Sequence, residues 1–452
     1  MRRRTTIAFL LAVAVAGALL AAVTRPSATA PAGPWGSPAR ADLAGPPALG
    51  RLQPDPVPWA GMTWEAVETR GFDLQPGDHV VGVIRVDGGL LAYGQGTLDR
   101  PNPDGLVSTL TVWLSADGIT WRPVPILAGV RAGSVSESRN VAAGPRGVVI
   151  AGNTCCGEEG AAVWWSPDGV GWQRAAFPRL AEAYLTGVAA GPDGFVAIGG
   201  VRGGGAIWTS VDGIGWTAVD QDEAGLVRGE LAHAVALGDG YLVAGMDDRA
   251  GRDSQAAVWA STGLAAWRRL AAADPGLNGR DEASITRIVP FAGGLFASGG
   301  SGTQEDRVQC EGLLNGGLLT AGPATALSCG WLREMTWRSD DGSRWERIDP
   351  WGRDGTYPPE PVPPHGRAPI NWDRIVPAGP GLVGVLAELA EGQPGEEGDL
   401  LGVWTSGDAR SWQRIGDGPP AADTPPVGLV GLDRRLFALT ENGAAWLGTA
   451  AP

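Results

Sequence analysis

Trp113-Leu114-Ser115-Ala116-Asp117-Gly118-Ile119-Thr120-Trp121 sets two tryptophans eight residues apart around a Ser-x-Asp-Gly core, and the chain repeats the arrangement. Further pairs are Trp164 and Trp172, Trp208 and Trp216, Trp259 and Trp267, Trp337 and Trp345, and Trp404 and Trp412, so twelve of the 20 Trp are used this way. The core recurs in full as Ser166 to Gly169, Ser210 to Gly213 and Ser339 to Gly342. The last copy keeps Ser406 and Asp408 but carries Ala409, and the Trp259–Trp267 copy keeps Ser261 with Gly263-Leu264 in place of Asp-Gly. Repetition of this kind marks an array of one supersecondary unit. Asp-Gly between apolar runs is a hairpin signal, the carboxylate accepting turn N–H groups and the glycine taking positive φ. The two tryptophans then stand on the two strands of the hairpin, with the register left open, and serve packing between sheets rather than ligand stacking.

Upstream of each hairpin lies a second recurring unit, two short apolar strands about a glycine-centred turn, as in Asn140–Asn153 and Gly187–Gly200. Others run from Val80 to Gly94, Ala232 to Gly245, Thr286 to Gly299 and Asp373 to Leu386. Each repeat is therefore four antiparallel strands, A to D, which is the unit of a β-propeller blade. Six complete repeats run from about Val80 to Asp417. After them, Val427–Leu432, Leu436–Thr440 and Ala444–Trp446 supply strands A, B and C of a seventh. Gly61–Val67 matches the strand D pattern of Gly118–Val124. The expectation is an all-β, seven-bladed propeller over residues 59–452, its last blade completed by the N-terminal strand, which leaves no free sheet edge at the junction.

Composition agrees. Gly is 71 of 452 residues and Pro 36, the supply of turns such a fold needs. All 35 basic residues are Arg against 49 Asp+Glu, for a net charge of -14. An acidic chain of this kind is a poor partner for nucleic acid, and the absence of Lys excludes Schiff-base and P-loop lysine chemistry. His79, His233 and His365 lie too far apart for a local metal motif, and no calcium-loop pattern is present, so no metal or cofactor is expected.

Arg2, Arg3 and Arg4 precede an uncharged run from Ile7 to Val23, and Ala28-Thr29-Ala30 has the small-x-small form of a cleavage site. Residues 1–30 read as an export signal or a retained membrane anchor. Residues 31–58, rich in Pro, Ala and Gly, read as a linker. For an exported chain, Cys310 and Cys329 are the natural disulfide pair, stabilising by about 3 kcal/mol. Cys155 and Cys156 are adjacent, and a vicinal bridge, cross-pairing and free thiols all stay open.

The turn motif resembles the Asp-box, or bacterial neuraminidase repeat, of sialidase-like propellers, although one residue is missing between Asp and Trp. The residues that carry the likeness are Ser115, Asp117 and Trp121; Ser166, Asp168 and Trp172; Ser210, Asp212 and Trp216; Ser339, Asp341 and Trp345; and Ser406, Asp408 and Trp412. The resemblance implies fold far more than activity, because glycosidases, photosystem assembly factors and sorting receptors share the motif. Sialidases add an arginine triad, a Tyr–Glu nucleophile pair and an Asp acid/base. Here Arg287-Ile288-Val289-Pro290 and Arg374-Ile375-Val376-Pro377 read as two copies of strand A. Only Tyr93, Tyr184, Tyr241 and Tyr357 could supply the nucleophile, and Tyr357 with Glu360 lies in a Pro-rich loop that positions a pair poorly.

The long connections all fall between strands B and C or between D and the next A, on one face, and elaborated loops on a rigid scaffold are where recognition resides. On this face Trp331, Trp351 and Tyr357 are candidate stacking residues, and Glu158, Glu159 and His365 candidate polar contacts. The expected function is that of an exported, non-enzymatic monomer binding a protein or glycan at the cell envelope, with a sialidase-like glycoside hydrolase as the alternative.

Overall fold

A computed structural model describes residues 59, 61–74, 78–97, 108–125, 140–154, 160–178, 183–248, 254–270, 276–277, 282–302, 333–348, 367–370, 374–379, 381–390, 401–420, 426–432 and 434–450. It is a seven-bladed β-propeller. Strand β1 (Thr63–Val67) comes first in the chain but belongs to the last blade. Blade 1 is β2 (His79–Val86), β3 (Gly89–Thr97), β4 (Ser108–Ser115) and β5 (Arg122–Pro125). Blade 2 is β6 (Val141–Gly144), β7 (Gly147–Thr154), β8 (Gly160–Ser166) and β9 (Gln173–Arg174). Blade 3 is β10 (Tyr184–Gly191), β11 (Gly194–Val201), β12 (Gly204–Ser210) and β13 (Thr217–Ala218), followed by one helical turn, α1 (Gln221–Ala224). Blade 4 is β14 (Gly229–Leu237), β15 (Gly240–Asp247), β16 (Gln255–Thr262) and β17 (Ala265–Arg269). Blade 5 is β18 (Glu282–Phe291), β19 (Gly294–Gly302), β20 (Arg333–Ser339) and β21 (Glu346–Ile348).

Blade 6 departs from the expected four strands. Both β22 (Arg367–Ile370) and β23 (Ile375–Ala378) pair with β24 (Gly381–Ala390), which continues to β25 (Leu401–Ser406) and β26 (Gln413–Asp417). Arg367–Ile370, in the connection from strand D of blade 5 to strand A of blade 6, is thus strand, and the inner strand of this blade is broken in two. Blade 7 is β27 (Gly428–Leu432), β28 (Arg435–Leu439) and β29 (Ala445–Thr449), with β1 antiparallel to β29 as the fourth strand. The Trp64 indole N–H reaches across to the Asp417 carbonyl of blade 6 at 3.1 Å, and Trp59 beside it is fully buried.

The innermost strands contact one another in a closed ring, β2, β6, β10, β14, β18, β23, β27 and back to β2. The apolar core is cut the same way, with one cluster at each of the seven seams between blades. Both tryptophans of each pair lie at the seam with the preceding blade: Trp208 and Trp216 of blade 3, for example, pack with Val149, Ala151 and Val163 of blade 2. All twelve are at most 9% exposed. The expectation that both stand on strands needs correcting. Trp121, Trp172, Trp216, Trp345 and Trp412 occupy the residue just before strand D, still within the turn, and only Trp267 lies inside one. The D–A connections add two phenylalanines that the repeat did not reveal. Phe72 stacks on Trp121 at 4.7 Å between ring centroids and tilts against Trp113 at 5.6 Å, while Phe177 contacts Trp208 and Trp216 at 5.1 and 5.7 Å.

Candidate ligand-binding site at the channel mouth

The two faces of the ring are built differently. All A–B turns have two residues between strands, and on that same face the Ser-x-Asp-Gly turns close strands C and D. Each of these is a fixed hydrogen-bonded unit. In blade 3, Asp212 Oδ1 accepts the Ile214 and Gly215 N–H groups at 2.9 Å each, Ser210 Oγ donates to Asp212 Oδ1 at 3.1 Å, and the Gly213 N–H donates to Ser210 Oγ at 2.8 Å. The Trp216 indole N–H returns to the Gly213 carbonyl at 3.0 Å, and the corresponding indole bonds recur at Trp121, Trp172, Trp345 and Trp412. Gly213 sits at φ +77°, and a Cβ there would meet the Trp165 ring of blade 2 at 2.0 Å. The Gly215 and Ile214 N–H groups hold the Asp212 carboxyl below its ordinary 3.8. At Asp117, Asp168, Asp341 and Asp408 burial pushes the carboxyl up, and the hydrogen bonds more than offset it. These aspartates are committed to their own turns, so this face is scaffold.

The opposite face carries the long B–C and D–A connections. Here the inner strands share a device. A β-bulge interrupts pairing after Val80 in β2, Leu185 in β10, Leu231 in β14 and Ile285 in β18. The partner strand always offers a glycine opposite the aliphatic residue. At Gly199 a Cβ would stand 1.9 Å from the Tyr184 carbonyl oxygen, and Gly94, Gly245 and Gly299 are equally closed by the carbonyls of His79, Glu230 and Ser284. Glycine is therefore what lets strand A fold in toward strand B at that level.

The residue before each of those aliphatics occupies the mouth of the ring, and it differs from blade to blade: His79, Tyr184, Glu230 and Ser284 in blades 1, 3, 4 and 5. Two of them, Tyr184 and Glu230, stand on neighbouring blades and interact electrostatically. Leu185 is buried in the seam with blade 2, so Tyr184 on the alternate side turns toward blade 4. Its ring lies over Gly200, where a Cβ would come within 2.6 Å of Cε1, Cζ and Oη, yet the side chain remains 47% exposed. Glu230 is exposed beside it. Burial pushes the Tyr184 phenol above its ordinary 10.0, and the Glu230 carboxylate adds to the shift. At neutral pH the phenol is thus protonated and able to donate a hydrogen bond.

The outer wall is the connection from blade 3 to blade 4. Asp220 caps α1 by accepting the Asp222 and Glu223 N–H groups at 2.9 Å each, and Gln221 Nε2 donates to the Gly205 carbonyl at 2.7 Å. The Trp259 indole N–H ties Gly225 down at 3.2 Å. Val227 then bridges to Gly204, and Arg228, at φ 67°, donates its N–H to Gly203 at 3.3 Å. Val227 is 45% exposed and Arg228 is exposed, so the wall presents an apolar and a cationic side chain near the pair.

The residues singled out for recognition, Glu158, Glu159, Trp331, Trp351, Tyr357 and His365, lie outside the described residues, as do Cys155, Cys156, Cys310 and Cys329 and residues 1–30, read above as an export signal or a retained anchor. Among the described residues, no group of three or more His, Cys, Asp or Glu could hold a metal ion, and no helix is long and apolar enough to cross a membrane. In the sequence Tyr184 stands out only as one of four tyrosines able to supply a nucleophile, and Glu230 not at all. The signal that finds them is the repeat itself: aligned on the bulge, an invariant aliphatic position is preceded by one that changes from blade to blade.

The fold is that of a seven-bladed β-propeller whose bulged inner strands place Tyr184 and Glu230 on the face of the long connections. No family model matches the chain, and no curated protein does. Similar solved structures include virginiamycin B lyase from Staphylococcus aureus, at 10% identity and TM-score 0.45, covering 86% of this chain and 100% of that one. The GH93 α-L-arabinofuranosidase of Fusarium graminearum is similar at 12% identity and TM-score 0.40, covering 86% and 98%. A family 117 glycoside hydrolase from Zobellia galactanivorans is similar at 12% identity and TM-score 0.28, covering 65% and 76%. Likenesses this distant carry no argument about chemistry.

Proposed function

We propose that this is an exported β-propeller that binds a protein or glycan at the cell envelope through the face bearing the B–C and D–A connections, where blades 3 and 4 meet. The observation that supports the reading is the half-exposed Tyr184 ring beside the exposed Glu230 at the mouth. An aromatic face, a hydroxyl donor and a carboxylate acceptor together suit a ligand with both apolar and polar edges. The opposite face spends its carboxylates on its own turns. The test is a printed glycan array and a set of cell-envelope proteins probed with the wild-type chain and with Tyr184→Ala. Binding that falls at least about tenfold in the variant, a loss of about 1.4 kcal/mol, supports the site. Binding indifferent to Tyr184 removes it.

One observation favours a second reading as a glycoside hydrolase. Sialidases use a Tyr–Glu pair as nucleophile, and Tyr184 and Glu230 are such a pair by residue type and proximity. A panel of fluorogenic glycosides separates the readings. Turnover abolished in both Tyr184→Phe and Glu230→Gln supports hydrolysis. Binding without turnover supports recognition alone.

A further inference from the structure

Tyr184 and Glu230 sit on different blades, so their spacing depends on how blades 2, 3 and 4 are joined at the level of the bulges. Asn153, near the end of β7 in blade 2, grips the backbone of Leu185: its Oδ1 accepts the Leu185 N–H at 2.8 Å and its Nδ2 donates to the Leu185 carbonyl at 3.1 Å. Leu185 adjoins Tyr184. Thr186, the bulged residue of blade 3, donates its hydroxyl to the Leu231 carbonyl of blade 4 at 2.8 Å, with a longer contact to the Ile198 carbonyl at 3.4 Å. Leu231 adjoins Glu230. Two side chains thus hold, from the preceding blade in each case, the residue next to each member of the pair.

Two further seams carry side-chain bonds deeper in the ring. Between blades 4 and 5, His233 Nδ1 accepts the Ile288 N–H at 3.2 Å, and between blades 5 and 6, Arg287 Nη2 donates to the Ile375 carbonyl at 3.2 Å. Ile288 and Ile375 both lie on the far side of the bulge position from the mouth. At the level of the mouth, Val80 beside His79 donates its N–H to the Glu441 carbonyl of blade 7 at 2.8 Å, and Ala283 beside Ser284 donates to the Ser254 carbonyl of blade 4 at 2.9 Å, but these are backbone bonds, whereas Asn153 and Thr186 act through their side chains. The seams are already joined by buried aliphatic clusters, so directional bonds at these two points serve placement more than cohesion.

We infer that Asn153 and Thr186 are positioning residues that fix the distance and orientation of the Tyr184 hydroxyl relative to the Glu230 carboxylate. The inference rests on the site proposed above, but its test requires no ligand. Tyr184 is titrated by tyrosinate absorbance as the difference between each protein and the same protein carrying Tyr184→Phe. In the wild type the phenol, raised by burial and by the Glu230 carboxylate, is expected to titrate above 10.0, and Glu230→Gln is expected to lower it. Thr186→Val, which keeps the shape and removes the hydroxyl, is expected to lower it too, as is Asn153→Ala, while Thr186→Ser keeps the wild-type value. The inference is overturned if Thr186→Val and Asn153→Ala reduce thermal stability while Tyr184 titrates as in the wild type, since the bonds would then only hold blades together. Should Asn153→Ala fail to fold, the contrast between Thr186→Val and Thr186→Ser decides. A shifted titration in a protein that binds neither glycan nor envelope protein would sustain the positioning role and discard the proposed function.

Discussion

A single turn residue carries two duties in this protein. Gly213 must reach φ +77° and must also leave room for the Trp165 ring of the preceding blade. Gly213→Ala meets both obstacles and is expected to cost about 2 kcal/mol or more, read as a lower midpoint in chemical unfolding. Blade 6 accommodates a Cβ at the equivalent position, where Ala409 takes φ 64° and is fully buried in the seam with blade 5, because no ring stands where Trp165 stands against Gly213. The turn aspartates set the acid limit. Asp212, held by the Gly215 and Ile214 N–H groups, and the four equivalents have folded-state carboxyls below 3.8. Their contribution is therefore fully present above the unfolded value and lost as pH falls through and below 3.8. Thermal midpoints should decline over that acid range, and Asp212→Asn should flatten the decline. The Trp pairs and Asp-Gly cores that define these turns were legible in the sequence because every copy solves the same packing problem at the same spacing.

At the scale of elements, the connections are where reading the sequence stopped. Phe72 and Phe177 wedge against the Trp pair of the next blade, but the segments that carry them have no common length or period. The bulges were equally hidden, since a bulge is one unpaired residue in an otherwise regular apolar strand. Their trace is the glycine opposite, at Gly94, Gly199, Gly245 and Gly299, which without a register looks like any other turn-forming glycine. The mouth residues follow from the bulges, so Tyr184 and Glu230 become visible only once the strands are aligned. Closure was legible, because Gly61–Val67 repeats the strand D pattern. Strand β1 pairs with β29 over five residue pairs, and Trp64 bonds to Asp417 of blade 6. Removing residues through Val67 exposes β29 as a sheet edge and should yield lower thermal stability and concentration-dependent association, measurable by light scattering. Trp208→Ala, which empties the seam between blades 2 and 3, is expected to cost about 3–5 kcal/mol in an unfolding experiment.

The whole molecule is a ring with a closed, self-satisfied face and a varied one. On the first, carboxylates and glycines are consumed by the turns. On the second, equivalent positions of successive blades carry His79, Tyr184, Glu230 and Ser284, and the connection after blade 3 is pinned into a wall by Gln221, Trp259 and Arg228. A ring brings together residues far apart in sequence, here 184 and 230, at no cost in regularity. The net charge of -14 adds an expectation at this scale: binding of a cationic partner should weaken as salt rises, while binding of a neutral glycan should not. The direct trial of the proposed face is to measure binding to the printed glycan array and the envelope proteins for the wild type, for Tyr184→Ala at the mouth and for Val211→Ser, an exposed residue on the turn face. Binding lost by at least about tenfold in Tyr184→Ala and retained in Val211→Ser is the predicted result; binding retained in Tyr184→Ala and lost in Val211→Ser would contradict it.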